Sequence, residues 1–142
     1  MRLRCLQSLS VLILIASAGA VPGLAEGVGS SDVPRSLVGC WARHVAALPV
    51  GTPAGVWLIR IQANGAFAAY PPGSTKCAAA SDFTSSVSVS AGRLTIGRVP
   101  ICTSKGVYAV KPTGSAFVLR TVSDASCPAR AHLLAGTWKR KT

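Results

Sequence analysis

The sequence predicts an all-β chain, a small antiparallel up-and-down β-barrel of about seven to eight strands with a short helical turn before the last strand. Three observations carry this reading. From Leu37 onward the chain runs in short apolar or alternating stretches rich in Val, Ile, Thr and aromatic residues. Turn residues cut these stretches at intervals of roughly ten residues, and no stretch keeps a helical period. The connections are too short to cross between the sheets of a sandwich, so closing one sheet on itself is the way to hide its edges.

Residues 1–25 precede this pattern and have the three parts of a secretory signal peptide: Arg2 and Arg4, an apolar stretch from about Leu9 to Ala18, and small residues near Ala20 and Ala25. Pro22 favours cleavage after Ala25 over cleavage after Ala20. The apolar run is shorter than the ~18–20 residues a transmembrane helix needs. Cys5 lies before that run instead of after it, so a lipidated cysteine is not expected. The chain is therefore read as exported, periplasmic or secreted, with no transmembrane segment. Residues 26–36, rich in Gly, Ser, Val and Pro, read as a flexible N-terminal arm, and residues 37–142 as the barrel domain.

Within the barrel, the first strand opens at Leu37 and holds Gly39-Cys40-Trp41. Residues 56–61 and 66–70 form the clearest hairpin, joined by Asn64-Gly65, a pair suited to the positive φ values of a type I′ turn. Residues 71–76 break the sheet with a Pro- and Gly-rich loop that Cys77 is placed to staple back. Residues 83–90 alternate Val with Ser, Ala91-Gly92 turns the chain, and residues 93–98 alternate again. A third hairpin joins residues 106–110 to 116–122 across a loop at 111–115, and residues 127–135 hold the helical turn before a last strand at 136–140.

Charge and cysteines bound the class further. The chain has 15 Lys and Arg against 4 Asp and Glu, a formal charge of +11. Such a field favours anionic neighbours. The cations are nonetheless spread singly along the chain and cluster only at Lys139-Arg140-Lys141, the pattern of a solvated surface. Export argues against nucleic acid as the partner and leaves an anionic envelope surface. Cys40, Cys77, Cys102 and Cys127 remain after removal of the leader, an even count that reads as two disulfides with three pairings open. A metal site is not expected, because close Cys-x-x-Cys spacing is missing and His44 and His132 lie far apart.

Gly39-x-Trp41 at the entry of the first strand resembles the G-x-W signature of lipocalins and other calycin-type barrels. Further on stand Cys102, Gly106-Val107-Tyr108, Phe117-Val118-Leu119, the run Asp124-Ala125-Ser126-Cys127-Pro128-Ala129-Arg130, Leu133 and Gly136-Thr137-Trp138. This order is similar to the C-terminal half of small exported bacterial lipocalin-like proteins. The resemblance implies a barrel closed at one end by Trp41 with a C-terminal arginine across its indole, Arg130 first and Arg140 as the fallback. It places Gly39, Trp41, Tyr108, Asp124, Arg130 and Trp138 in a structural closing cluster, with Asp124 and Arg130 as an ion pair. The chain lacks the lipocalins' middle Thr-Asp-Tyr motif and is short for that family, which bears on the cavity more than on the fold.

Enzymatic chemistry finds little to work with. Four acids and two histidines offer few groups that move protons near neutral pH, there is no G-x-S-x-G elbow, and Gly73-Ser74-Thr75-Lys76 lacks the spacing of a phosphate loop. A non-enzymatic, cofactor-free, monomeric binding protein is expected, its small apolar or amphipathic ligand held by Trp57, Ile59, Ile61, Phe67, Leu94, Ile96, Phe117 and Leu119, residues that serve equally as filled core. Two alternatives stand beside it. One is a protein-binding module such as an inhibitor of secreted proteases, with the N-terminal arm entering its target. The other is a basic protein held on an anionic envelope. Of the three disulfide pairings, Cys102 with Cys127 is expected, tying the strand before Gly106 to the loop after Val122 and leaving Cys40 with Cys77.

Overall fold

The computed structural model describes residues 33–48, 51–78 and 80–142. The signal peptide expected at 1–25, and the arm as far as residue 32, lie outside the described residues. Eight strands close into one antiparallel barrel in sequence order: β1 (Gly39–Val45), β2 (Gly55–Ile61), β3 (Ala66–Tyr70), β4 (Phe83–Ser90), β5 (Arg93–Ile96), β6 (Gly106–Thr113), β7 (Ala116–Ser123) and β8 (Gly136–Arg140). The seam pairs Trp41 with Arg140 and Ala42 with Lys139. One helix, α1 (Pro128–Leu134), precedes β8. No helix among the described residues is long and apolar enough to cross a membrane.

The period-2 pattern decides which side chains enter the barrel. Trp57, Ile59 and Ile61 of β2, Phe67 and Ala69 of β3, Leu94 and Ile96 of β5, and Phe117 and Leu119 of β7 all join one buried cluster with Trp41, Tyr108 and Trp138. The opposite face of β2 is not all solvent-exposed: Leu58 packs with Tyr70 and Cys77 outside the barrel. The disulfide Cys40–Cys77, with Cα atoms 5.9 Å apart, holds the 71–78 loop over that small outer core. Each indole donates to a carbonyl four residues upstream, Trp41 to Leu37, Trp57 to Pro53 and Trp138 to Leu134, so no tryptophan buries an unmet N–H.

Three local expectations change. The Asn64-Gly65 hairpin forms, but only Gly65 takes a positive φ, at 81°. Gly65 donates to Gln62, and Asn64 stays in the ordinary region, accepting the Ala66 N–H on its side-chain oxygen. The two-residue turn with both φ positive is instead Ala91-Gly92, at 49° and 70°, between the paired Ser90 and Arg93. The loop expected at 111–115 is mostly strand, with Pro112 opposite Phe117 and Thr113 opposite Ala116. Pro112 lies past the part of β6 that β5 reaches, where a missing N–H costs no ladder bond. Within the described end of the expected 26–36 arm, Val33 is buried in the core, and the Pro34 carbonyl accepts from the Leu37 N–H at the start of the barrel domain.

Candidate binding site at the open end of the barrel

The two ends of the barrel are finished differently. At the end where β1 begins, the 33–38 segment folds inward and Arg140 lies over the Trp41 ring, 4.3 Å from its centroid. Arg140 also donates to Val38 and Ser36. The arginine across Trp41 is therefore Arg140 and not Arg130, because closure of the barrel sets β8 directly beside β1. Gly39 has its own reason to be glycine: its φ is +146°, and a Cβ there would fall 2.5 Å from the Arg140 guanidinium. Inside, Trp41 meets Phe117 edge-on with centroids 4.7 Å apart.

Arg130 acts at the other end. Its Nε and Nη2 donate to the two oxygens of Asp124 at 2.9 and 2.7 Å, and the two side chains are 2% and 0% exposed. Its Nη1 donates to the carbonyl of Gly97 and Nη2 to that of Ser104. Tyr108 donates its hydroxyl to the same Asp124 carboxylate. The bonds to Asp124 hold the Arg130 guanidinium above its usual value against the opposing effect of burial. Burial first, then the hydrogen bond to Asp124, raises the Tyr108 phenol far above the usual tyrosine range. Gly106 leaves room for this network, since a Cβ there would fall 2.7 Å from Asp124.

Arg130 thus ties α1 to the 97–104 loop, and the disulfide Cys102–Cys127 ties the same loop to the residue before α1. Arg43, from β1, completes the support by donating to the carbonyls of His132 and Leu133 at the C-terminal end of the helix, and burial lowers its pKa. Between these parts a cleft of about 380 Å³ opens at the barrel mouth. Trp57, Phe83, Val99, Ile101 and Leu133 give it apolar walls, Thr52 and Asp82 supply polar groups, the internally bonded Arg130 backs the wall, and Pro53, Pro71 and Pro100 border it. Ile101 is 82% exposed, an isoleucine held out in water at the lip of an apolar cleft.

Of the eight residues read as ligand-holding, only Trp57 borders this cleft; Ile59, Ile61, Phe67, Leu94, Ile96, Phe117 and Leu119 pack against one another and the closing aromatics in the core. Sequence reasoning missed Phe83, Val99, Ile101 and Leu133 as a group. Their one signal was Ile101, an apolar residue directly after Pro100 in a loop. Among the described residues no three His, Cys, Asp or Glu side chains gather as a metal site would require. Comparison with protein-family models, with curated proteins and with solved structures gives no match, so the function has to be argued from this geometry.

Proposed function

We propose that the chain is an exported, non-enzymatic, lipocalin-like binding protein that takes a small apolar or amphipathic ligand at the open mouth of the barrel. The observation that carries this reading is the cleft of about 380 Å³ between Trp57, Phe83, Ile101 and Leu133, with Arg130 in its wall. Its size suits a small organic molecule, and mostly apolar walls with a few fixed polar groups are the usual make-up of such sites. The lip is also braced before any ligand arrives, by Cys102–Cys127 and by the Arg130 bonds to Gly97 and Ser104. Bracing of that kind lowers the ordering cost of binding. Export rests on the leader pattern together with the two disulfides.

The test is titration of the oxidised, processed protein with N-phenyl-1-naphthylamine, an uncharged fluorescent probe that the basic surface does not attract. One probe should bind per chain, and Ile101→Ser, at a site too exposed to matter for folding, should weaken binding about five-fold or more. The reading falls if binding is non-stoichiometric or if Ile101→Ser leaves it unchanged.

A further inference from the structure

The outer wall of the barrel offers a second surface, away from the mouth. On β5 to β8 the outward positions bring Arg93, Ala109 and Arg120 into one row, since Arg93 pairs with Ala109 and Ala109 with Arg120. In the next row Lys111 pairs with Val118, and Lys139 pairs with Ala116 one step further on. All four cations are exposed, and the residues between them are small or half-buried. A shallow groove of about 360 Å³ runs between Lys111 and Arg120 over Ala109 and Val118. Strand spacing and rise put the Cα atoms of Lys111 and Arg120 about 8 Å apart and those of Arg93 and Arg120 about 10 Å apart. The side-chain carboxylates among the described residues, Asp82 and Asp124, both sit at the mouth, and Asp124 is already paired.

We infer that this wall binds an extended anionic polysaccharide, with Arg93, Lys111, Arg120 and Lys139 meeting successive acidic groups along the chain. Curvature selects this occupant over a lipid surface. In a closed ring of eight strands each step turns about 45°, so Arg93 on β5 and Lys139 on β8 face directions about 135° apart. A flat bilayer reaches only part of that arc, whereas a flexible linear polyanion follows it. Of the exposed large apolar residues, Val56 and Ile101 lie elsewhere and Val122 lies past Arg120 at the mouth-side edge of β7, so none stands between the four cations. This surface is independent of the mouth cleft and stands or falls separately from it.

Two charge-matched triple variants test it in the oxidised, processed protein: Lys111→Gln/Arg120→Gln/Lys139→Gln on the wall, and Lys76→Gln/Arg98→Gln/Lys105→Gln in the loops near the mouth. The probe is a polygalacturonate oligomer of about twelve units, with affinity followed against salt. The wall variant should lose about twenty-fold or more at low salt and reduce the slope of log K against log salt by roughly 2 to 3, while the mouth variant loses less than about three-fold. Equal losses in the two variants would reduce the effect to net charge and overturn the proposal, as would failure of the unaltered protein to bind the oligomer. Vesicles containing phosphatidylglycerol that bind as tightly as the oligomer, and lose binding in the same wall variant, would make the face a lipid contact and overturn it as well.

Discussion

Replacing Asp124 by Asn removes one negative charge from the buried network while keeping its shape. In the native fold the carboxylate accepts two bonds from Arg130 and one from Tyr108, and neither member of the ion pair is open to water. After the change the Arg130 cation remains buried without a counter-charge, facing the carbonyls of Gly97 and Ser104 and a single amide oxygen of the new asparagine. The lost charge-assisted bond, about 1.5–3 kcal/mol, together with the uncompensated buried charge suggests a loss of roughly 3–5 kcal/mol, the range for broken buried pairs. Urea unfolding of the oxidised protein at neutral pH should show this as a lowered midpoint with an unchanged m-value. Tyr108→Phe alone should cost about 1 kcal/mol, and the double variant should lose measurably less than the two single losses added, because both act on one carboxylate. A loss below about 1 kcal/mol for Asp124→Asn is the value of an exposed pair. That result would refute the idea that this network locks α1 to the 97–104 loop.

Trp41→Ala should cost roughly 3–5 kcal/mol by emptying the largest side chain at the closed end, while Arg140→Ala should cost about 1 kcal/mol through loss of its stacking on that ring. Both are read by thermal or urea unfolding, and an Arg140→Ala protein as damaged as Trp41→Ala would mean that the arginine is structural in some way other than stacking. The Tyr108 phenol, raised in the fold, holds its proton longer than an unfolded tyrosine with a pKa of about 10. Its contribution is therefore complete below about pH 10 and declines as pH rises above that, since the unfolded chain then binds fewer protons. Unfolding free energies compared between about pH 9 and pH 11 should fall more steeply for the native protein than for Tyr108→Phe; equal slopes would remove Tyr108 from the linkage.

The barrel was legible because it depends on signals that the sequence carries locally. Alternation in residues 56–61 and 93–96 places Trp57, Ile59, Ile61, Leu94 and Ile96 on one face whatever the partners are, and the turn residues at 64–65 and 91–92 set the hairpins. Which arginine covers Trp41 was not local. Arg130 and Arg140 are both remote from Trp41 in sequence, and only the β1–β8 seam, a product of closure, decides between them. The turn at Asn64-Gly65 shows a subtler limit. Its composition suits a type I′ turn, but the chain uses an Asn side chain to bind its own backbone, a local alternative the same residue offers. The cleft was least legible of all, because its walls come from three loops, a helix and the ends of two strands, whose residues share no period and meet only in three dimensions.

The filled interior explains why the candidate site lies where it does. An eight-stranded barrel is just wide enough for its own side chains or for one small ligand. Here Trp41, Tyr108, Phe117 and Trp138, all fully buried, join the aliphatic residues of β2, β5 and β7 in one cluster. Leu133 and Leu134 of α1 press into that cluster from the mouth. A ligand that entered deeply would have to displace well-packed core, at a cost of several kcal/mol that a small molecule recovers only by equally good packing. A ligand at the mouth displaces only water from Ile101, Phe83 and Trp57. Loops held on a rigid frame can also change their contacts without disturbing the core. On the proposed reading, selectivity resides in residues 51–53 and 97–104, and exchange of those loops should alter binding of the fluorescent probe while leaving the barrel intact.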